Sequence, residues 1–219
     1  MAYHQAFLWG RSQNKLRQEE RWLESFCIIG LFLAALILFV VNLGSLPLLD
    51  PKEATIAQVA KEIYQAPEGI WNWVFPTLWG KPYLNHPPLV HGLIAFTYML
   101  GGVNEFTTRL PGAILASVSV LLVYGIGREI FVARIPALFS ALVYLTLLPV
   151  IYQSRLAMLD GPLLCFELLT IWGMLRSRRD LRWTLVTGLG LSALLLTKGL
   201  MGLLLAGVVI LFLLWDTPR

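Results

Sequence analysis

The chain has 219 residues, of which 57% are apolar and only 14% charged, with a formal charge of +4 and a mean hydropathy of +0.69. Soluble domains carry about 25% charged residues, so this polypeptide lacks the polar material to coat a water-soluble globule. Most of its arginines sit in short clusters between apolar runs, a pattern that suggests loops at a cytoplasmic membrane face and not a nucleic-acid surface.

Residues 1–24 are polar and carry Arg11, Lys15, Arg17 and Arg21 ahead of an apolar run from Phe26 to about Leu46. About 20 helical residues cross the hydrocarbon of a bilayer, so this run is expected to span. No small-residue cleavage site follows it, so it is expected to stay as an anchor. The basic flank places the N-terminal segment 1–24 in the cytoplasm and opens a membrane domain over 25–219.

Asp50 to Thr108 differs in character, with three lysines, no arginine and five acidic residues, as expected of an outer loop, 50–108. Ile56, Val59, Ala60, Ile63 and Tyr64 fall on one face at helical spacing and predict an amphipathic helix lying on the membrane. Trp71, Trp73, Phe75, Trp79 and Tyr83 suit the headgroup zone. The apolar stretch 88–102 is short for a crossing and is expected to be interfacial or re-entrant.

Further apolar runs cover 110–127, 134–152, 161–175, 184–197 and 199–215. Arg128 and Arg134 bracket one connection, and Arg176, Arg178, Arg179 and Arg182 crowd another. Placing both inside brings Asp50, Glu53, Arg155, Asp160 and Lys198 to the outer face. Residues 184–214 as one helix would stretch about 45 Å, so Lys198-Gly199 predicts two short spans. The expected fold is an all-α polytopic membrane protein with about six transmembrane helices and interfacial helices in the first outer loop. Cys27 and Cys165 lie in apolar runs and read as small buried residues with no disulfide framework.

Four places could carry chemistry. Asp50-Pro51-Lys52-Glu53 reads as a capping box, with Asp as N-cap, Pro at the first helical position and Glu at the third. A capping carboxylate is also held ionised by the helix dipole, so capping and catalysis are compatible. Asp160, in Arg155-Leu-Ala-Met-Leu-Asp160-Gly161-Pro162, reads as an N-cap or a functional acid, and Arg155 as a headgroup anchor or a site residue. His86 and His91 are five apart with a Pro-Pro between them, which disfavours a shared metal; His86 reads as a polar contact to a substrate headgroup or as merely interfacial. Lys198 either snorkels or pairs with a lipid phosphate, and Arg109 offers the same choice. The sequence has no phosphate-binding Gly loop, no Ser nucleophile elbow and no paired-cysteine metal motif.

In order, these pieces resemble the polyprenyl-phosphate-sugar-dependent glycosyltransferases of the C-type membrane fold, the group of protein O-mannosyltransferases and lipid A aminoarabinose transferases. The resemblance is carried by Leu49-Asp50-Pro51-Lys52-Glu53-Ala54 and by Gly80-Lys81-Pro82-Tyr83-Leu84-Asn85-His86-Pro87-Pro88-Leu89. It continues in Gly101-Gly102 to Arg109-Leu110-Pro111, in Arg155 to Asp160, and in Lys198-Gly199. It implies transfer of a sugar from a polyprenyl-phosphate donor to a lipid or protein acceptor at the outer face of a bacterial inner or plasma membrane. Glu53, Asp50 and Asp160 would be the catalytic acids, and Lys52, His86, Arg155 and Lys198 the substrate contacts. No metal ligand set is implied; a divalent cation is admissible and no other cofactor is called for. This chain has Lys52-Glu53 where many relatives have an acidic pair, and His86 where Lys commonly precedes Pro-Pro. The resemblance covers about the N-terminal half of a family member, so a companion chain supplying the rest is an expected partner. The rival readings are a non-catalytic membrane subunit that binds a lipid-linked sugar, and a small transporter with charges along its path.

Overall fold

The computed structural model describes residues 22–48, 50–66, 71–131 and 133–215; the basic N-terminal segment read as cytoplasmic lies almost wholly outside them. Helix α1 (Trp22–Val40) leads into α2 (Pro51–Gln65), the single turn α3 (Trp71–Val74), and a two-residue antiparallel hairpin of β1 (Thr77–Leu78) and β2 (Lys81–Pro82). Then come α4 (Leu89–Gly101), α5 (Glu105–Ile130), α6 (Arg134–Thr146), α7 (Leu148–Ser154), α8 (Asp160–Ser177) and α9 (Trp183–Trp215).

This is a multi-pass membrane protein. Three helices are long and apolar enough to cross, namely Trp22–Val40, Glu105–Ile130 and Trp183–Leu200. A fourth crossing arises if α6 and α7, bent by 61° at Leu147, are one broken span. The expectation of about six is therefore met only in part. Two elements account for the difference. Helix α8 has the length but carries Asp160, Glu167 and Arg176, and the last arm of α9, Gly202–Phe212, is short. Sequence periodicity also runs straight through the α6–α7 bend, which Pro149 imposes because it has no N–H for the carbonyl of Leu145 and its ring clashes there; α6 ends at Thr146, and Leu147 is extended (φ −64°, ψ 120°) before α7 starts.

Helix α9 breaks at Lys198, whose backbone (φ −143°, ψ 58°) is non-helical, at the position where two arms are expected. Helices α8 and α9 approach closely through glycines. A Cβ at Gly173 would lie 2.8 Å from the Thr187 amide nitrogen, so only a small residue allows this crossing.

The main core joins α1, α5 and α6 through Leu31, Phe39, Val120, Tyr124 and Leu145. A second core lies beside it: Ile56 and Ala60 of α2 pack on Val90, Ile94 and Tyr98 of α4. The apolar face of α2 is thus covered by α4 and is not the lipid-facing surface expected of a helix lying on a membrane. Tyr64, counted on that face, is 38% exposed and meets the Tyr98 ring edge-on at 6.1 Å.

Helix α4 stops at Gly102, which adopts φ 74°, a conformation glycine enters without steric cost. Asn104 then starts α5 with a reciprocal capping box to Thr107, five residues before the apolar run begins. Pro111 sits inside α5 and has no N–H to give the carbonyl of Thr107. The hydroxyl of Thr97, from α4, lies 2.7 Å from that carbonyl and 2.7 Å from the Ile94 carbonyl of its own helix, and shares its proton between the two. One helix thus supplies the hydrogen bond that its neighbour's proline removes.

The charges sort to the two ends of the bundle. Arg109 lies near the start of α5 and Arg128 near its end, about 28 Å apart at helical rise, close to a hydrocarbon thickness. At the Arg128 end, Glu24 accepts from Arg128 (3.0 Å) and Arg134 (3.1 Å), and Glu129 pairs with Arg179 (3.2 Å). Every sequence-predicted site residue lies at the other end.

Candidate active site

Two arginines frame the site by collecting carbonyls from the end of α1, where helix termini leave oxygens unsatisfied, and from the segment that follows it. Arg155 donates to Leu38 O and Val41 O, both at 2.8 Å. Arg109, 4% exposed, donates to Leu43 O, Leu46 O and Pro47 O. Arg155 is therefore bonded to protein carbonyls and joins the segment after α7 to the end of α1.

Arg109 also grips Glu53 at two points, Nε to Oε1 at 2.8 Å and Nη2 to Oε2 at 3.0 Å. The amide of Ala157 donates to the same Oε1 at 2.7 Å. Glu53 is 1% exposed and so faces protein. The capping box read from sequence is half present: Asp50 caps α2 by accepting from the Lys52 amide at 2.7 Å, whereas Glu53 turns inward to Arg109 and Ala157. These bonds tie the first turn of α2 to the 155–159 segment that leads into Asp160.

Beside this frame lies a cavity of about 400 Å³ lined by Lys52, Tyr83, His86, Leu159, Asp160 and Lys198, among others. Lys198 Nζ donates to Asp160 Oδ1 at 2.6 Å. Asp160 is the first residue of α8 and makes no side-chain cap, so its N-cap reading gives way to the ion pair. Both partners stay partly open, with side chains 46% and 32% exposed. The Lys198 break in α9 leaves the helical path at this point. A narrower, largely apolar slot of about 160 Å³ opens on another side of Asp160, between Ala116, Tyr144, Val150 and Leu164.

Burial holds the His86 imidazole below its ordinary value; the Lys198 cation adds to that, and Asp160 opposes it. Behind it, the Tyr83 ring meets His86 at 6.4 Å and His91 edge-on at 5.4 Å. His91 is fully buried, and burial pushes it down to about 4 against the pull of the Pro87 carbonyl. The two histidines thus differ, one lining the cavity and one supporting its wall. Among the described residues no three His, Cys, Asp or Glu side chains cluster as metal ligands do.

The structure therefore brings Lys52, His86, Asp160 and Lys198 together, and leaves Asp50, Glu53 and Arg155 in the framework around them. Sequence reasoning placed Ile56 on the apolar face of α2 and did not assign it or Thr55 to the site, although both line the cavity; their spacing of three and four from Lys52 was the available signal. It left Arg109 undecided because its partners are 56 and more residues away.

Residues 85–219, more than half of the chain, match the family model described as dolichyl-phosphate-mannose-protein mannosyltransferase. The chain belongs to this family. Curated members similar to it include the undecaprenyl phosphate-alpha-4-amino-4-deoxy-L-arabinose arabinosyl transferase of Pseudomonas savastanoi pv. phaseolicola, 30% identical over 85% of this chain and 36% of that protein. An uncharacterized protein of Aquifex aeolicus is 30% identical over 84% of this chain and 37% of its own length. Among solved structures, ArnT from Cupriavidus metallidurans bound to undecaprenyl phosphate superimposes with a TM-score of 0.75 at 23% identity, over 85% of this chain and 35% of that one. The archaeal oligosaccharyltransferase AglB from Archaeoglobus fulgidus gives 0.68 at 14% identity, over 90% of this chain and 26% of that one. These two show a shared fold. The chain spans about a third of the length of the curated relatives it matches.

Proposed function

We propose that this chain forms the donor-binding part of a membrane glycosyltransferase that moves a sugar from a polyprenyl-phosphate donor to a lipid or protein hydroxyl at the outer membrane face. The observation that carries the reading is the cavity in which Lys52, His86, Asp160 and Lys198 meet from four separate chain segments. Family membership and the solved relative bound to undecaprenyl phosphate support it.

In this reading the arginine-rich end faces the cytoplasm, as the positive-inside rule requires, and the cavity faces out. The count of six crossings follows if α8 and both arms of α9 cross alongside α1, α5 and the bent α6–α7 pair. The donor phosphate sits against Lys198, Lys52 and the edge of His86, with its first isoprene units along the apolar slot beside Asp160. The acceptor oxygen attacks the anomeric carbon, its proton passes to the Asp160 carboxylate, and the bond to the phosphate oxygen breaks. The ammonium groups offset the charge that develops on the leaving polyprenyl phosphate. Asp50 and Glu53, read from sequence as catalytic, act here by holding α2 and the approach to Asp160 in place.

The test is reconstitution of the purified chain, alone and together with the remaining segments of a relative, with a polyprenyl-phosphate sugar and candidate acceptors. Transfer that disappears in Asp160→Asn is the expected result. Transfer unchanged in that variant sinks the role of Asp160, and none under any pairing sinks the enzyme reading.

One observation favours a second reading, a non-catalytic subunit that binds lipid-linked sugar and assists a companion chain. The first motif presents Lys52 to the cavity, leaving Asp160, already paired, as the sole carboxylate among the described lining residues. Donor binding without turnover in every pairing selects it.

A further inference from the structure

Helix α2 is a wall between two cavities. Lys52, Thr55 and Ile56 face the one described above. Ala54, Ala57 and Lys61, on the next stripe at helical spacing, face another of about 300 Å³, lined on its far side by Val103 of the α4–α5 connection and by Glu105 and Thr108 at the start of α5.

Lys61 and Glu105 line this second cavity from opposite walls. Neither has an ion-pair or hydrogen-bond partner among the described residues, and they do not bridge to each other. The other polar groups present are engaged. Tyr98 and Thr108 share a hydroxyl bond of 2.7 Å, Gln58 donates to Glu62 at 3.0 Å, and Asn104 caps α5. The cleft thus offers one ammonium and one carboxylate, held apart over a floor of small apolar side chains. A simple anion entering it meets repulsion from Glu105, and a simple cation meets repulsion from Lys61. A ligand carrying both charges satisfies both walls. Val103, which lines the cavity, and Phe106, close to it in sequence, are 44% and 40% exposed, an apolar surface on which acyl chains can rest.

We propose that this second cavity is a headgroup site for a zwitterionic aminophospholipid, with the lipid phosphate on Lys61 and its primary ammonium on Glu105. The inference is independent of the glycosyltransferase reading, since it uses none of the residues of that site. Phosphatidylcholine has the same net charge but no N–H to donate, so it separates a hydrogen-bonding carboxylate from a general lipid surface.

The experiment is native mass spectrometry of the purified full chain after equilibration in vesicles of equal parts phosphatidylethanolamine, phosphatidylcholine and phosphatidylglycerol. Retention of phosphatidylethanolamine about tenfold over the other two is expected, the scale of one charge-assisted hydrogen bond. Glu105→Gln removes that preference while the helical circular dichroism is unchanged. The single reversal Glu105→Lys abolishes it, and the paired exchange Lys61→Glu with Glu105→Lys restores it. Equal retention of the three lipids by the wild type overturns the proposal, as does a preference that survives Glu105→Gln or an exchange that fails to restore it in a folded protein. Soluble phosphoethanolamine that competes as well as the lipid overturns the assignment to a membrane lipid.

Discussion

Glu53 of α2 and Arg109 of α5 meet in a two-point ion pair, 2.8 and 3.0 Å, that is almost wholly shielded from solvent. The same glutamate accepts the Ala157 amide, and the same arginine gathers carbonyls from the segment that follows α1. Four stretches of chain converge on these two side chains, so their chemistry bears on folding before it bears on turnover.

Removing the charge of Glu53 leaves a buried guanidinium without its counter-ion, which typically costs about 3–5 kcal/mol. Glu53→Gln is expected to lower the unfolding midpoint of the purified protein sharply and to reduce its folded yield. A variant with wild-type thermal stability and lost donor transfer would instead make Glu53 a reacting acid.

The exposed pair of Asp160 and Lys198 should behave in the opposite way. Partly solvated ion pairs contribute about 0–1 kcal/mol, so Asp160→Asn and Lys198→Gln are expected to unfold near the wild-type temperature. Lys198→Gln is expected to weaken binding of polyprenyl phosphate by about tenfold or more, the loss of one charge-assisted contact, read by titration in detergent. Unchanged affinity removes Lys198 from the phosphate site.

The bond from Thr97 to the carbonyl opposite Pro111 can be tested by a double-mutant cycle. Thr97→Val leaves a buried carbonyl unpaired and should cost about 1–3 kcal/mol. With Pro111→Ala in the background, the restored N–H of residue 111 can reach that carbonyl, and the same valine substitution should cost clearly less. Equal costs in both backgrounds, measured by denaturant unfolding, would break the link between the two residues.

Glu62 holds the β1–β2 hairpin through Thr77 Oγ1 (2.6 Å) and the amides of Trp79 (2.7 Å) and Gly80 (3.4 Å). Burial raises its pKa, but the hydrogen bonds from Thr77, Gln58 and the two amides outweigh it, so the folded value lies below the ordinary one. A carboxylate lowered on folding contributes stability that is present above its unfolded pKa and lost as pH falls through the folded value. Limited proteolysis within 77–82 should therefore accelerate on acidification, and Glu62→Gln should cleave fast at all pH values. A cleavage rate that ignores pH in the wild type refutes the claim.

Much of the architecture was legible in the sequence because it rests on local patterning. Apolar run length and arginine clusters located the first span and α5 and grouped Arg128, Arg134, Arg176 and Arg179 at one end. The Asp50-Pro51 start and the 56/59/60/63 stripe located α2 and its buried face. Lys198-Gly199 marked the break in α9. The convergence of the Asp50–Glu53 turn, Arg155, Asp160 and Lys198 on one end also followed from counting crossings, although the described helices meet the length and composition of a span in fewer places than the apolar runs suggested.

The partners of the charged side chains were decided by the tertiary structure alone. Asp50, Lys52 and Glu53 are adjacent, yet one caps a helix, one faces a cavity and one is sealed against Arg109. A helix turns by about 100° per residue, so neighbours point to different surroundings, and which surroundings those are depends on segments 50 to 100 positions away. The burial of α2 against α4, the carbonyls gathered by Arg155 and the answer of Thr97 to Pro111 share that cause. Periodicity shows that a helix has a face to bury; only packing determines what that face meets.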